Sequence, residues 1–147
     1  MSRWDPARHR RPLRIAFVAY AIVLFIATHK PGVAVPLAAG IRLDLLVHVA
    51  AFGLWTLLLG LSGFIGPVRR VRALGVLAVV GVLYAWVDEA TQAIPGLNRV
   101  FDLSDLVANT VGAVAGAVAA HALARITAAD VQPGSDSDPE PHSEPAG

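Results

Sequence analysis

The stretch that decides the fold is AWVDEATQAIPGLNRVFDLSDLVANTVGAVAG, residues 85–116. A long apolar run precedes it, and most of the chain after it is again apolar as far as Arg125. Its acids, amides and single arginine therefore lie where two hydrophobic segments meet. Polar groups at the end of membrane-crossing segments cost free energy and need a compensating role. We interpret these groups as the functional site.

The composition is typical of a small polytopic membrane protein. Of the 147 residues, 55% are hydrophobic, although both ends of the chain are polar. The absence of cysteine excludes disulfides, thiolate nucleophiles and cysteine-based metal sites. A formal net charge of +1 gives no support for binding to nucleic acid.

Four apolar runs flank or overlap the quoted stretch: 13–28, 44–65, 71–94 and 103–126. Because backbone polar groups in lipid must be paired within the segment, these runs predict four membrane helices. We therefore predict an all-α fold, an integral membrane bundle of four transmembrane helices in a domain spanning 13–126. The alternative for the first run is a cleavable signal peptide, which would leave the orientation of the other helices unchanged.

Both ends of the chain are polar and differ in charge. Residues 1–12 form a basic leader, and residues 127–147 are rich in Ser, Asp, Glu and Pro without an apolar face, which predicts a disordered tail. The leader with Arg14, the turn at 66–72 and Arg125 together hold nine of the twelve Lys and Arg residues. The positive-inside rule then predicts cytoplasmic termini and a multi-pass protein of the plasma (inner) membrane.

This topology brings polar residues from three helices to the extracytoplasmic end of the bundle. The predicted site consists of Asp44, His48, Asp88, Glu89, Gln92, Arg99, Asp105 and Asn109. Residues four apart, such as Asp88 and Gln92, share a helix face. Deeper in the fourth helix, Gly112 and Gly116 are predicted packing residues that let a neighbouring helix approach closely.

The motifs Asp44-x-x-x-His48, Asp88-Glu89-x-x-Gln92 and Arg99-x-x-x-x-x-Asp105-x-x-x-Asn109-x-x-Gly112-x-x-x-Gly116 resemble the VanZ-like family. These are small polytopic membrane proteins named for a teicoplanin-resistance protein, and the resemblance covers residues 43–116. Two departures are Leu45, where the family often has Lys, and Phe52, where it often has Tyr. The missing Lys weakens a phosphate-binding role that rests on it. The resemblance implies a cell-envelope protein with a link to glycopeptide susceptibility.

Binding is the first of three functions that this pattern allows. Arg99, helped by His48, would hold an anionic envelope lipid or a lipid-linked cell-wall precursor at the outer leaflet of the bilayer. The acids would orient Arg99 or shuttle protons.

Catalysis and scaffolding are the alternatives. In an enzyme acting on a lipid-linked substrate, His48 would be a general base oriented by Asp44 or Asp88, with Asp88 and Glu89 as further catalytic groups. A divalent cation held by the same residues, Asp44, His48, Asp88 and Glu89, is a variant of that hypothesis. In a scaffold, the cluster would only fix the register of the helices.

Overall fold

The computed structural model describes residues 6–30, 43–94 and 101–129, which contain four helices. They are α1 (Pro6–His29), α2 (Leu43–Ser62), α3 (Val71–Gln92) and α4 (Leu103–Ala129). All four are long and apolar enough to cross a membrane. The prediction of an all-α chain with four such helices is therefore confirmed. The predicted disordered tail lies, from residue 130 onward, outside the described residues.

The largest difference from the predicted boundaries is at α1, which begins at Pro6 and not at residue 13. Apolarity indicates where a helix enters hydrocarbon, whereas arginine is a good helix former on either side of that point. Proline also fits the first turn of a helix, where its missing N–H has no intrahelical partner. Part of the predicted basic leader is thus the start of α1. At the other boundary, α2 ends at Ser62 because Gly63 adopts a left-handed φ of 76° and turns the chain.

The parallel pair of α2 and α4 forms the centre of the bundle. Gly112 of α4 lies against the carbonyl of Val49, and Gly116 lies one turn further along, against the carbonyl of Gly53. A Cβ atom at either glycine would overlap the facing backbone oxygen. The missing side chains therefore allow two helix backbones to touch, which is how small residues act in membrane helices.

The helix α3 packs antiparallel to α2 over this central pair. The rings of Trp55 and Tyr84 stack with centroids 4.2 Å apart and an interplanar angle of 2°. Near the basic end, Leu77 of α3 is fully buried close to Gly60 of α2. Aromatic stacking of this kind adds to the free energy gained from burial.

The helix α1 lies on the outside of the bundle, antiparallel to α2. Its contacts with α2 are spread along its length. Arg14 Nε donates a hydrogen bond to the Ser62 carbonyl at 3.2 Å, and the Tyr20 hydroxyl donates one to the Ala51 carbonyl at 3.0 Å. Between them, the Phe17 ring meets Trp55 edge-on at 5.3 Å. The other face of α1 is exposed, as shown by Ile15 at 62%.

Large apolar side chains cover the outside of the other helices as well. Val79 and Leu83 of α3 and Val107 of α4 are each more than half exposed. In water, a surface of this kind would promote association, whereas lipid tails solvate it at no cost. The surface therefore agrees with helix length in assigning this chain to a bilayer.

Candidate functional site

The described acids all lie at one end of the bundle, where α1 and α3 end and α2 and α4 begin. They are Asp44, Asp88, Glu89, Asp102 and Asp105. Two histidines, His29 and His48, lie among them and contact Asp88 and Asp105. Three helices were predicted to converge at this end, and α1 is a fourth that the sequence analysis did not include.

Asp88 links α1 to α3 by accepting hydrogen bonds from side chains of both helices. Only 2% of the residue is exposed. One carboxylate oxygen accepts from the Thr28 hydroxyl at 3.0 Å, and the other accepts from Gln92 Nε2 at 3.0 Å. Gln92 is one helical turn further along α3, as its spacing predicts. Both oxygens of a buried carboxylate are thus satisfied by side chains from two helices.

His29 is the site residue that the sequence reasoning missed. Its Nδ1 lies 2.9 Å from the Phe25 carbonyl and 3.9 Å from Asp88 Oδ1. Its Nε2 lies 2.9 Å from the Thr91 hydroxyl of α3. The position of His29 in the sequence could have indicated this. Thr28 and His29 end the first apolar run, and hence lie at the same membrane depth as the acids of α3.

His48 joins α2 to α4 through two polar partners. Its Nδ1 lies 2.9 Å from Asn109 Oδ1, and its Nε2 lies 3.4 Å from Asp105 Oδ2. Asn109 is fully buried, and its amide nitrogen has no hydrogen-bond partner among the described residues. If the amide is flipped, that nitrogen donates to His48 Nδ1 and the proton on Nε2 faces Asp105, so both contacts become favourable.

Glu89 links α3 to the start of α4. Its Oε1 accepts from the backbone N–H of Asp102 at 2.9 Å. Asp102 in turn is the N-cap of α4, because its carboxylate accepts from the backbone N–H of Ser104 at 2.7 Å. The second oxygen of Glu89 has no hydrogen-bond partner among the described residues, although only 1% of the residue is exposed.

The two parts of the site are close enough to interact through charge. A positive charge on His48 would act on both Asp88 and Glu89, and a negative charge on Asp105 would act on Glu89. The structure thus brings Asp88, Gln92, His48, Asp105 and Asn109 to one end of the bundle. Asp44 lies in the first turn of α2, one turn before His48. Arg99 lies outside the described residues.

The described side chains do not form the metal site considered above. Within residues 6–30, 43–94 and 101–129, no group of three or more His, Asp or Glu residues is arranged to hold a metal ion. The reason is that the acids and histidines are divided between pairs of helices, with His48 held by α4 and Asp88 by α1.

An apolar groove of about 530 Å³ lies beside the polar cluster, between α2 and α4. It is lined by Leu45, Val49, Leu103, Ser104, Val107, Ala108 and Val111. Four of these residues are chain neighbours of Asp44, His48, Asp105 or Asn109. The groove therefore lies beside the helix turns that carry these polar residues.

The hydroxyl of Thr28 gives a direct test of how α1 is held. We expect Thr28→Val, which keeps the side-chain shape, to lower the free energy of unfolding by about 1 kcal/mol, because Asp88 loses a buried donor. Thermal unfolding in detergent, followed by circular dichroism, measures the change. The matched control is Thr127→Val, since the partners of the Thr127 hydroxyl among the described residues are carbonyls of its own helix. Equal effects from the two substitutions would contradict the prediction.

These features define a polytopic membrane protein with four helices and a buried polar cluster at one end of the bundle. Residues 13–125 match the VanZ/LLP1 family, and the chain belongs to that family. The match extends beyond the motifs on either side and includes α1 from residue 13 onward and α4 as far as residue 125. Neither the curated proteins nor the solved structures contain a significant match to this chain.

Proposed function

We propose that this protein binds an amphiphilic lipid of the cell envelope, an anionic envelope lipid or lipid-linked cell-wall precursor. The lipid chain would occupy the groove between α2 and α4, and the polar headgroup would lie against the His48 cluster. The observation that carries this proposal is adjacency: Ser104 lines the groove, and the next residue, Asp105, faces His48. Sites for small molecules combine apolar walls with a few placed polar groups in this way.

The proposal that the headgroup is anionic depends on Arg99. Apart from the histidines, the charged side chains described at this end are five acids and Lys30, so an anionic group needs a further cation to balance the acids. Only Val100 and Phe101 separate Arg99 from Asp102 in the sequence, and the proposal requires the Arg99 guanidinium to reach the headgroup. Arginine binds phosphate and carboxylate through two parallel hydrogen bonds, and in this proposal the acids orient it or shuttle protons.

The orientation of the site is part of the same proposal. The described arginines lie at the opposite end of the bundle, in α1, in the turn before α3, in the first turn of α3 and near the end of α4. The positive-inside rule places that end in the cytoplasm and the His48 cluster on the extracytoplasmic side. A headgroup there would belong to the outer leaflet of the plasma membrane.

Catalysis by His48 is less well supported than binding. A general base needs a ring nitrogen that can reach the proton it removes. Both nitrogens of His48 face protein side chains, at 2.9 Å and 3.4 Å. The specific observation that favours an enzyme is Glu89, whose buried second oxygen has no described hydrogen-bond partner. The second candidate function is therefore an enzyme acting on a lipid-linked substrate with Glu89 as proton acceptor.

The binding proposal is tested with purified protein in lipid nanodiscs and a polyprenyl phosphate as the probe. We expect tighter binding of this probe than of phosphatidylcholine. Arg99→Ala should weaken binding at least about tenfold, because a charge-assisted hydrogen bond contributes about 1.5–3 kcal/mol. Val107→Trp should do the same by filling the groove. The control is Val118→Trp, since both valines are more than half exposed on α4 but only Val107 lines the groove.

The result separates the three functions. Unchanged binding in both Arg99→Ala and Val107→Trp would contradict the lipid proposal. Turnover of the probe that is lost in Glu89→Gln would favour the enzyme. A His48→Gln variant that loses thermal stability and binding together would favour a scaffold. The link to glycopeptide susceptibility is tested by measuring teicoplanin sensitivity of cells with the native chain and with Arg99→Ala.

A further inference from the structure

A second cavity lies at the opposite end of the bundle, far from the His48 cluster. Its volume is about 420 Å³. It lies between the end of α2, the turn that leads to α3 and the last turns of α4, with Arg10 and Arg69 among its lining residues. Its apolar wall includes Leu61 of α2 and Ala124 of α4. The cavity therefore combines two guanidinium groups with an apolar surface.

The turn that forms one side of this cavity is fixed in place. His121 Nδ1 of α4 donates to the carbonyl of Val68 at 2.7 Å, and the Val68 side chain is buried. The neighbouring residue, Arg69, is exposed and lines the cavity. The hydrogen bond from His121 thus fixes the backbone beside Arg69 relative to α4.

The charge at this end has no counterpart within the described part of the protein. Every acid that the structure describes lies at the other end, and neither Arg10 nor Arg69 makes an ion pair with a described residue. Arg14 differs from them, because it donates to the Ser62 carbonyl and lies over the Phe64 ring. Arg10 and Arg69 therefore have no ion-pair partner among the described residues.

We propose that this cavity binds an anionic glycerophospholipid. Its phosphate pairs with Arg10 and Arg69, and one acyl chain lies along Leu61 and Ala124. The volume is in the range of small-molecule sites. A lipid fits better than free phosphate because most of the lining is apolar and the cavity lies at the edge of the predicted spans. Basic residues at a membrane surface attract anionic lipids by about 1 kcal/mol each. This site is independent of the proposed function at the His48 end.

Delipidated protein in detergent, titrated with lipid and observed by native mass spectrometry, tests the proposal. The probes are phosphatidylglycerol, the zwitterionic phosphatidylcholine and inorganic phosphate. We expect phosphatidylglycerol to bind at least about tenfold more tightly than phosphatidylcholine. Each substitution, Arg10→Gln or Arg69→Gln, should weaken that binding about fivefold. The matched control is Arg70→Gln with Arg72→Gln, since these exposed arginines do not line the cavity.

A second variant tests the cavity without changing its charge. Ala128→Trp places a large side chain at a lining residue and leaves both arginines in place. We expect it to weaken phosphatidylglycerol binding at least about tenfold, while circular dichroism and elution volume stay unchanged. Equal affinity for the two lipids would overturn the proposal. The proposal would also be overturned if Arg70→Gln with Arg72→Gln weakened binding as much as Arg10→Gln or Arg69→Gln does. Binding unaffected by Ala128→Trp, or displacement of the lipid by millimolar inorganic phosphate, would overturn it too.

Discussion

Replacing Gly116 by alanine is expected to lower the free energy of unfolding by about 1–3 kcal/mol, the range typical of overpacked sites. The new methyl group would overlap the carbonyl oxygen of Gly53 on α2. A flexible side chain can move away from such a clash, whereas a helix backbone cannot. The helices α2 and α4 must therefore separate, although they form the closest pair in the bundle. Thermal or denaturant unfolding in detergent, followed by circular dichroism, measures the change.

Gly75→Ala is the matched control for this experiment. Gly75 is also inside a helix, but a Cβ atom at this position would meet nothing within 4 Å. Alanine there removes backbone freedom from the unfolded chain, so stability should stay the same or rise by up to about 1 kcal/mol. A Gly116→Ala protein as stable as the Gly75→Ala protein would show that α2 and α4 do not pack through this residue.

The second large effect is expected at Asp88. Asp88→Ala removes the buried carboxylate that accepts hydrogen bonds from Thr28 and Gln92. Leaving a buried donor without its partner lowers the free energy of unfolding by about 1–3 kcal/mol. Because α1 lies on the outside of the bundle, we expect its end near His29 to move away from α3. Asp88→Asn keeps the shape and one acceptor oxygen, so its effect should be smaller.

The movement of α1 can be measured because the chain contains no cysteine. Spin labels on cysteines introduced at Ile26 and Val87, both exposed near this end, report the distance between α1 and α3. We expect this distance distribution to broaden in Asp88→Ala. A second pair at Ile15 and Val76, near the basic end, should stay unchanged. Broadening of both pairs would indicate general unfolding, and broadening of neither would contradict the role given to Asp88.

The helices were predictable because lipid restricts what a chain can do. Backbone groups in hydrocarbon must be paired within their own segment, so the length of an apolar run indicates a helix directly. The end points were harder, since helices continue into water. At α1, the arginines before the apolar run are helical although they contribute nothing to its hydropathy. The prediction of cytoplasmic termini stays a prediction.

The depth of the polar residues within the membrane could be predicted from the sequence. Which of these residues contact one another was harder to predict. Spacing placed Asp88 on the same face as Gln92, and topology placed His48 at the same end as Asn109. Neither indicates which helices are neighbours, so the contact of Asp88 with Thr28 of α1 was missed. The pair Gly112 and Gly116 indicated a close partner for α4 but could not identify α2. The role of Arg99 stays a prediction.

The central pair of helices also has a consequence for biosynthesis. The partner of the second helix is the fourth, so the forty residues between them must emerge before the core can close. Until then His48 has no amide or carboxylate from α4 beside it, and the polar face of α2 is presented to lipid or to the insertion machinery. A chain that stops after α3 would therefore be expected to remain unassembled and to be recognised by membrane proteases.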